Sequence, residues 1–185
     1  MTQPTPLPFG LREVKVTPYT DMAATTLGTP VKLPNSRTFS FAEVEEFEDL
    51  RGDDKLVATH GSGAQVEWEL EGGGVSLEAV KAMYGGQTIT ETGVAPNRVK
   101  TLRKLTTDQR PYFKVEGRAM SDSGGDFHIV VWKCKATDNL EGELADGQFF
   151  LTGASGVGLA STLPASLDAV WDFIQNEAAA GVPIA

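Results

Sequence analysis

The sequence predicts a mainly β protein, a β-sandwich or barrel flanked by one short α-helix and followed by a C-terminal helix. Two observations indicate this class. The run AQVEWELE alternates apolar and polar side chains, as a half-buried antiparallel strand does. The chain also carries 20 Gly and 10 Pro, which favour many short strands joined by turns. Its 185 residues fit one β domain over residues 1–160 and a helical extension over residues 161–185.

The N-terminal segment is predicted to hold one strand and one long irregular loop. Prolines at positions 4, 6 and 8 impose an extended start, and LREVKV at 11–16 is predicted as the first strand. Residues 17–34 then carry three prolines and show no clear period. Irregular segments of this length are uncommon inside a domain and are usually functional. We therefore predict a projecting interaction loop, with candidate contact residues Thr20, Asp21, Met22, Leu27, Val31 and Leu33.

The next segment is predicted to form strands with an irregularity in the first of them. RTFSFAEVEEFEDL alternates as far as Ala42 and then loses its period of two, which indicates a bulge near residues 42–46. RGDDK supplies a polar turn. In AQVEWELE, successive side chains point to opposite faces of a strand, so one face is apolar and the other carries carboxylates. The apolar set is Val66, Trp68 and Leu70, and the acidic set is Glu67, Glu69 and Glu71.

A short helix is predicted directly after this strand. Ser76 is a suitable N-cap for LEAVKAMY, and Gly85 with Gly86 ends the helix. The helical period places Leu77, Val80 and Tyr84 on one face, which we expect to lie against the sheet.

The second half of the chain is predicted to form a β-meander and then a terminal helix. FHIVVWKCK is apolar on both faces, which indicates a strand at the centre of the fold. GASGVGLAS is predicted as a flexible glycine linker. The terminal helix over residues 164–180 has an apolar stripe that needs a partner surface, made of Leu167, Val170, Trp171, Ile174 and Ala178.

Charge, cysteine content and hydropathy exclude several classes of protein. With 16 Lys and Arg against 25 Asp and Glu, the net charge of −9 disfavours binding to a phosphate backbone. The single cysteine, Cys134, cannot form an intrachain disulfide, and no Cys/His spacing suits a structural zinc site. The N-terminus lacks a signal-peptide pattern and no run reaches the length of a membrane span, so we expect a cytosol-like compartment.

Catalytic motifs are incomplete throughout the sequence. The glycines of GASGVG are not followed by the lysine that a phosphate-binding loop requires, and Ser155 lacks the glycine spacing of a nucleophile elbow. His60 and His128 lie in no ligand pattern, and His128 is expected to be a hydrogen-bonded core or interface histidine. We expect a protein that is not an enzyme and has no cofactor and no metal.

The order of elements resembles a known family. It runs through LREVKV, the segment ending GTPVKLP, SFAEVEEFEDLRGDDKLVATHG, the acidic strand with its short helix, and a meander that closes in FFLTGASGVG. Over roughly residues 10–158 this pattern is similar to the major tail proteins of long non-contractile-tailed bacteriophages, which are tail tube proteins. The predicted terminal helix lies outside the shared pattern.

The resemblance implies a β-sandwich subunit whose hexameric rings close edge to edge and stack into a tube. It implies that the loop over residues 17–34 reaches the adjacent ring. For the terminal helix, which the resemblance does not cover, two hypotheses stay open: it packs on the outside of its own subunit, or it clamps the next ring. It also implies assembly in the host cytoplasm, a location in the virion tail, and contacts with tape measure, tail terminator and distal tail proteins. Genomic DNA would pass through a negative lumen without specific binding.

An acidic channel wall has a physical use, because Lys or Arg there would bind phosphates and retain the DNA. Carboxylates on an exposed face can also simply keep the outer surface hydrated. The candidate lumen-facing residues are Glu67, Glu69 and Glu71, with some of Glu43, Glu45, Glu46 and Glu48. Alternative functions are a receptor- or carbohydrate-binding β-sandwich module, a ligand-binding β-barrel that stays monomeric, and a connector or terminator that stops at one ring.

Overall fold

A computed structural model describes residues 5–163 and 168–179 of the chain. The fold is mainly β, with 54% of residues in antiparallel strands and one short helix, which confirms the predicted class at this level. In chain order the elements are β1 (Pro8–Pro18), β2 (Val31–Lys32), β3 (Ser36–Gly52), β4 (Lys55–Gly73), α1 (Leu77–Tyr84), β5 (Thr90–Thr92), β6 (Val99–Thr101), β7 (Phe113–Ser121), β8 (Asp126–Ala136), β9 (Leu151–Gly158) and β10 (Trp171–Asn176).

The strands form one large antiparallel sheet in the order β2-β1-β7-β8-β9-β4-β3, and β5 and β6 form a separate hairpin. β8 has three partners: β7, then β10 along Asp126–Val131, and β9 along Cys134–Ala136. Its residues are buried or half-buried from end to end. The predicted central position of FHIVVWKCK is therefore confirmed.

The sheet curls so that β3 lies over β1 and β7, and the core fills the space between them. The Phe39 ring lies against Gly117 of β7, where any Cβ would be 2.5 Å from the ring. The core side chains come mainly from β1, β4, β7 and β8, and include Val14, Val16, Val66, Trp68, Leu70, Phe113, Val115 and Val131. Trp68 and Phe113 meet edge to face, with ring centroids 5.4 Å apart.

Truncation of Phe113 is expected to cost much of the stability of the fold, because its side chain is fully buried at the centre of this core. We expect Phe113→Ala to lower the free energy of unfolding by about 3–5 kcal/mol. Phe149→Ala is the matched control, because Phe149 is 93% exposed, and it should change stability by about 0.5 kcal/mol or less. Denaturant titration of both variants measures the difference, and equal effects would contradict this core assignment.

Helix α1 begins and ends where the sequence predicts. The Ala79 N–H donates to the Ser76 Oγ at 3.2 Å, and Gly85 ends the helix with a φ of 76°. The predicted inward face is correct only at Tyr84: the buried residues are Ala79, Ala82, Met83 and Tyr84, whereas Leu77 and Val80 are half-buried. The buried face thus combines two alanines with two large side chains, Met83 and Tyr84, and is rotated from the predicted one.

The prediction of a projecting loop at residues 17–34 is wrong. The segment doubles back on its own subunit: Tyr19 bridges to Leu27, and β2 pairs with Lys15 and Val16 of β1. Of the six candidate contact residues, Leu33 is fully buried in the core, Asp21, Leu27 and Val31 are half-buried, and only Thr20 and Met22 are exposed. The short β2 pairing depends on tertiary contacts that the local pattern does not contain.

The prediction of a C-terminal helix is wrong for residues 171–176, which form β10 antiparallel to β8. Pairing with the central strand overrides the helical spacing of Trp171 and Ile174, since helix propensity is a weak signal in a tertiary context. Residues 164–167 and 180 of the predicted helix, and residues 181–185 of the predicted extension, lie outside the described residues.

The predicted glycine linker is also wrong, because residues 153–158 belong to β9. Gly158 passes so close to β8 that a Cβ would lie 2.5 Å from the Val131 side chain, and Gly156 is similarly close to the Lys135 carbonyl. These glycines allow a close approach of two backbones instead of supplying flexibility.

In the part of the chain that the structure describes, no helix is long and apolar enough to cross a bilayer.

Candidate functional site

The outer face of β4 carries three carboxylates in a row, as its alternation predicts. Val66, Trp68 and Leu70 are at most 2% exposed on the inner face. Glu67 and Glu69 are exposed on the outer face, and Glu71 is half-buried, 3.1 Å from the Arg37 guanidinium. We call Glu67, Glu69 and Glu71 the acidic face.

Small side chains flank the acidic face on both neighbouring strands. Ser40 and Ala42 of β3 lie opposite Glu69 and Glu67, and Ser155 and Gly153 of β9 lie opposite Glu69 and Glu71. Glu69 therefore lies between two serines, whereas Glu67 has Val157 and Glu71 has Thr38 as the second cross-strand neighbour. Two further carboxylates, Asp138 and Glu141, line the depressions beside this face, and Asp138 accepts a hydrogen bond from Ser155.

The four acidic candidates on β3 do not all join the acidic face. Glu43 pairs with Val66, which faces the core, and the Glu45 carboxylate lies beside the Phe47 ring over Gly61. The period of two places Glu46 and Glu48 on the same side of β3 as Ala42, and so on the side of the acidic face. The structure thus separates Glu43 and Glu45 from the other candidates.

β3 and β4 together form one long hairpin. Its turn is Asp53-Asp54, with φ of 50° and 59°, the left-handed pair typical of a two-residue hairpin turn. The predicted irregularity is confirmed in position but lies on the other strand: the register shifts between Val44 and Glu46, and the extra residue belongs to β4, next to Gly63 with a φ of 76°, while β3 keeps its period of two. β4 continues without interruption through GSG at 61–63, although two glycines so close together are more typical of a turn.

The end of this hairpin is exposed on both faces. We call residues 43–62 the distal hairpin; all of them are exposed except Val44 and Gly61, which are half-buried. Its large apolar side chains are open to solvent, with Phe47 65%, Leu50 62%, Leu56 56% and Val57 63% exposed. An isolated two-stranded ribbon is marginally stable in water, and exposed apolar clusters mark contact sites. The distal hairpin is therefore the strongest candidate for a contact with another molecule.

His128 is buried in a polar network. Its Nδ1 lies 3.0 Å from Glu116 and its Nε2 lies 3.1 Å from Asp126. Lys114 is 3.2 Å from Glu116, and the Asn176 amide donates to Asp126 at 2.8 Å. The prediction of a hydrogen-bonded core histidine is confirmed. Because the network joins β7, β8 and β10, it fixes the register of these three strands.

The other residues considered as catalytic or metal-binding candidates do not lie together in one site. His60 is exposed on the distal hairpin and pairs with Glu48 of β3. Ser155 has Asp138, and not a histidine, as its hydrogen-bond partner. Within residues 5–163 and 168–179, no group of three or more His, Cys, Asp or Glu side chains is arranged to hold a metal ion.

No protein-family model matches this sequence, and no curated protein matches it.

Proposed function

We propose that this chain is a structural, non-enzymatic subunit of a phage tail tube, in which hexameric rings stack around a channel for DNA. The observation that carries the proposal is the distal hairpin, a ribbon that extends past the core and exposes four large apolar side chains. Residues 43–52 alone span roughly 30 Å at 3.3 Å per residue. A ribbon of this reach is suited to contact a neighbouring ring, the role that the resemblance gave to residues 17–34.

Unpaired strand edges support the closure of a ring. In the described residues β3 is the last strand of the sheet, and β2 covers only Lys15 and Val16 at the other end. Open edges are aggregation sites in a monomer, whereas a cyclic head-to-tail interface pairs them. We propose that the subunit is a β-sandwich whose rings close by such pairing.

The acidic face supports a channel for DNA. A surface with carboxylates and few cations makes no counterion-releasing contacts with phosphates, so DNA slides along it. Ser40 and Ser155 beside Glu69, and Ala42 on one side of Glu67, are shorter than the glutamates, so these carboxylates extend past them. The proposed partners are further copies of this chain, other tail proteins and the transiting DNA, and the proposed location is the virion tail.

The test is negative-stain electron microscopy of the purified chain, concentrated with and without tail extract, beside a mass measurement in solution. Hollow tubes of stacked rings are expected. A monomer that never stacks, even with the extract, would overturn the proposal, and a single closed ring would instead favour a connector or terminator.

A half-exposed aromatic cluster favours a second candidate, a carbohydrate-binding module. Phe173 is 49% exposed, and its ring centroid lies 4.6 Å from that of Trp171 and 5.6 Å from that of Phe41. Aromatic faces of this kind stack on sugar rings. This candidate predicts a stable monomer that binds glycans, and a glycan array distinguishes it from the tail tube proposal.

A further inference from the structure

An apolar groove lies along helix α1, at the base of the long hairpin. Its volume is about 630 Å³, and its lining is mainly apolar. Val75 and Leu140 at this groove are 54% and 52% exposed, so large apolar side chains are open to solvent here as well. We call this surface the α1 groove; its apolar lining residues are Val75, Leu77, Val80, Leu102, Leu140 and Phe150.

The lining of the α1 groove has a net positive charge although the chain is acidic. It holds two cations, Lys104 and Arg110, against one carboxylate, Glu141, within a protein of net charge −9. Lys104 donates to the Tyr84 carbonyl at 2.5 Å, and Arg110 lies 5.1 Å from the centre of the Tyr84 ring.

The distal hairpin has the complementary composition. It carries seven carboxylates and two cations together with its exposed apolar residues. An acidic ribbon with an apolar end therefore matches an apolar groove with cations around it, and opposite potentials of this kind favour and orient association.

The two surfaces cannot meet within one subunit. The turn at Asp53-Asp54 precedes β4, whereas Val75 of the groove follows the last residue of β4, Gly73. Nineteen residues of strand separate them, which corresponds to roughly 60 Å at 3.3 Å per residue. An occupant of the groove that comes from this chain must therefore belong to another copy. A contact between opposite ends of two identical subunits is head-to-tail and can repeat without closing.

We propose that the α1 groove of one subunit receives the end of the distal hairpin of a second copy, with Leu50, Leu56 and Val57 as the inserted residues. The inference rests on the proposed tube function and names the receiving surface for the contact that stacks one ring on the next. The acidic residues of the hairpin then lie near Lys104 and Arg110, the two cations of the groove lining.

Disulfide trapping between two differently tagged variants tests this contact directly. The native Cys134 is fully buried, and burial raises the pKa of its thiol, so engineered surface cysteines react selectively. Leu56→Cys is mixed with Leu140→Cys under mild oxidation during assembly. The matched control replaces Leu140→Cys with Leu144→Cys, because Leu144 is 89% exposed in the same loop and does not line the groove.

We expect the Leu56–Leu140 mixture to give a cross-linked heterodimer at least about tenfold faster than the control mixture. Tubes that form with equal cross-linking in both mixtures would overturn the groove assignment and leave the tail tube function standing. Failure of every variant and of the unmodified chain to form tubes, with or without tail extract, would overturn both.

A second variant tests the groove without cysteines. Leu140→Asp places a charge in the apolar lining and should raise the concentration needed for tube formation by about tenfold or more. Leu144→Asp should leave it within about twofold, since surface substitutions away from a contact have small effects. Unchanged circular dichroism and melting temperature show that the subunit still folds, and equal assembly of the two variants would overturn the proposal.

Discussion

Removal of the distal hairpin is expected to abolish tube assembly and to leave the subunit folded. The change replaces residues 45–64 by Asn-Gly, which joins Val44 to Gln65. These two residues are direct partners across β3 and β4, and Asn-Gly is the preferred two-residue hairpin turn. The core residues of β4 begin at Val66, so the deletion removes no buried apolar side chain of that strand.

The expected result is a monomer with a melting temperature within a few degrees of the full chain, because the deleted ribbon is exposed on both faces. Solution mass and negative-stain microscopy measure the loss of assembly. The control is a chain with Leu144→Ser and Phe149→Ser, which removes two exposed apolar side chains elsewhere and should still form tubes. Normal tubes from the shortened chain would remove the hairpin from the assembly mechanism.

A triple substitution distinguishes the effect of the apolar side chains at the end of the hairpin from the effect of the length of the ribbon. Leu50→Ser, Leu56→Ser and Val57→Ser keep the ribbon and remove the apolar side chains at its end. If the end of the hairpin is what inserts into a partner, this triple variant should assemble about as poorly as the deletion. If the ribbon acts only by pairing its backbone with another strand, the triple variant should assemble normally.

The predictions from the sequence were correct where a local signal determines the structure. The strict alternation of residues 65–71 fixed which side of β4 is buried, and Ser76 with Gly85 fixed both ends of α1. Both signals are local: a side chain one position along a strand points the opposite way, and a capping residue satisfies its own helix end.

The wrong predictions concern segments whose structure is determined by pairing with a strand that is distant in the sequence. Leu33 is buried because β2 returns to β1, and Trp171 lies in a strand because β8 offers a free edge along Asp126–Val131. Neither pairing strand lies among the few residues on either side of these positions, so the local sequence pattern does not predict the pairing. The glycines of β9 suggested flexibility, yet at Gly158 a β8 side chain fills the space that a Cβ would need.

The surfaces on which the proposed function depends were only partly predictable. Glu67 and Glu69 were placed correctly on an exposed face, whereas Glu43 and Glu45 lie on the opposite side of β3. To predict the distal hairpin and the α1 groove, one must know which parts of the chain lie outside the core. The composition of the sequence does not contain this information.

The separation of the acidic residues into two faces allows a direct test of the channel. Glu67→Lys with Glu69→Lys changes the net charge of the subunit from −9 to −5 on the acidic face. Both residues are exposed, so we expect a stability change of about 0.5 kcal/mol or less at each site and normal tubes. DNA inside such tubes should be retained, because each lysine that reaches a phosphate releases counterions and strengthens binding.

The matched control is Glu43→Lys with Glu45→Lys, which makes the same change in charge on the other side of β3. Under the proposed tail tube function, in phages that carry each variant we expect DNA ejection to slow markedly for the acidic-face pair only, and the delay to shrink as salt is raised. Each lysine that pairs with a phosphate should steepen the fall of log affinity with log salt by about 0.9. Equal delays for both pairs would mean that total charge, and not the orientation of β4, governs DNA passage. An unchanged ejection rate for both pairs would place the acidic face on the outside of the tube, where its carboxylates only keep the surface hydrated.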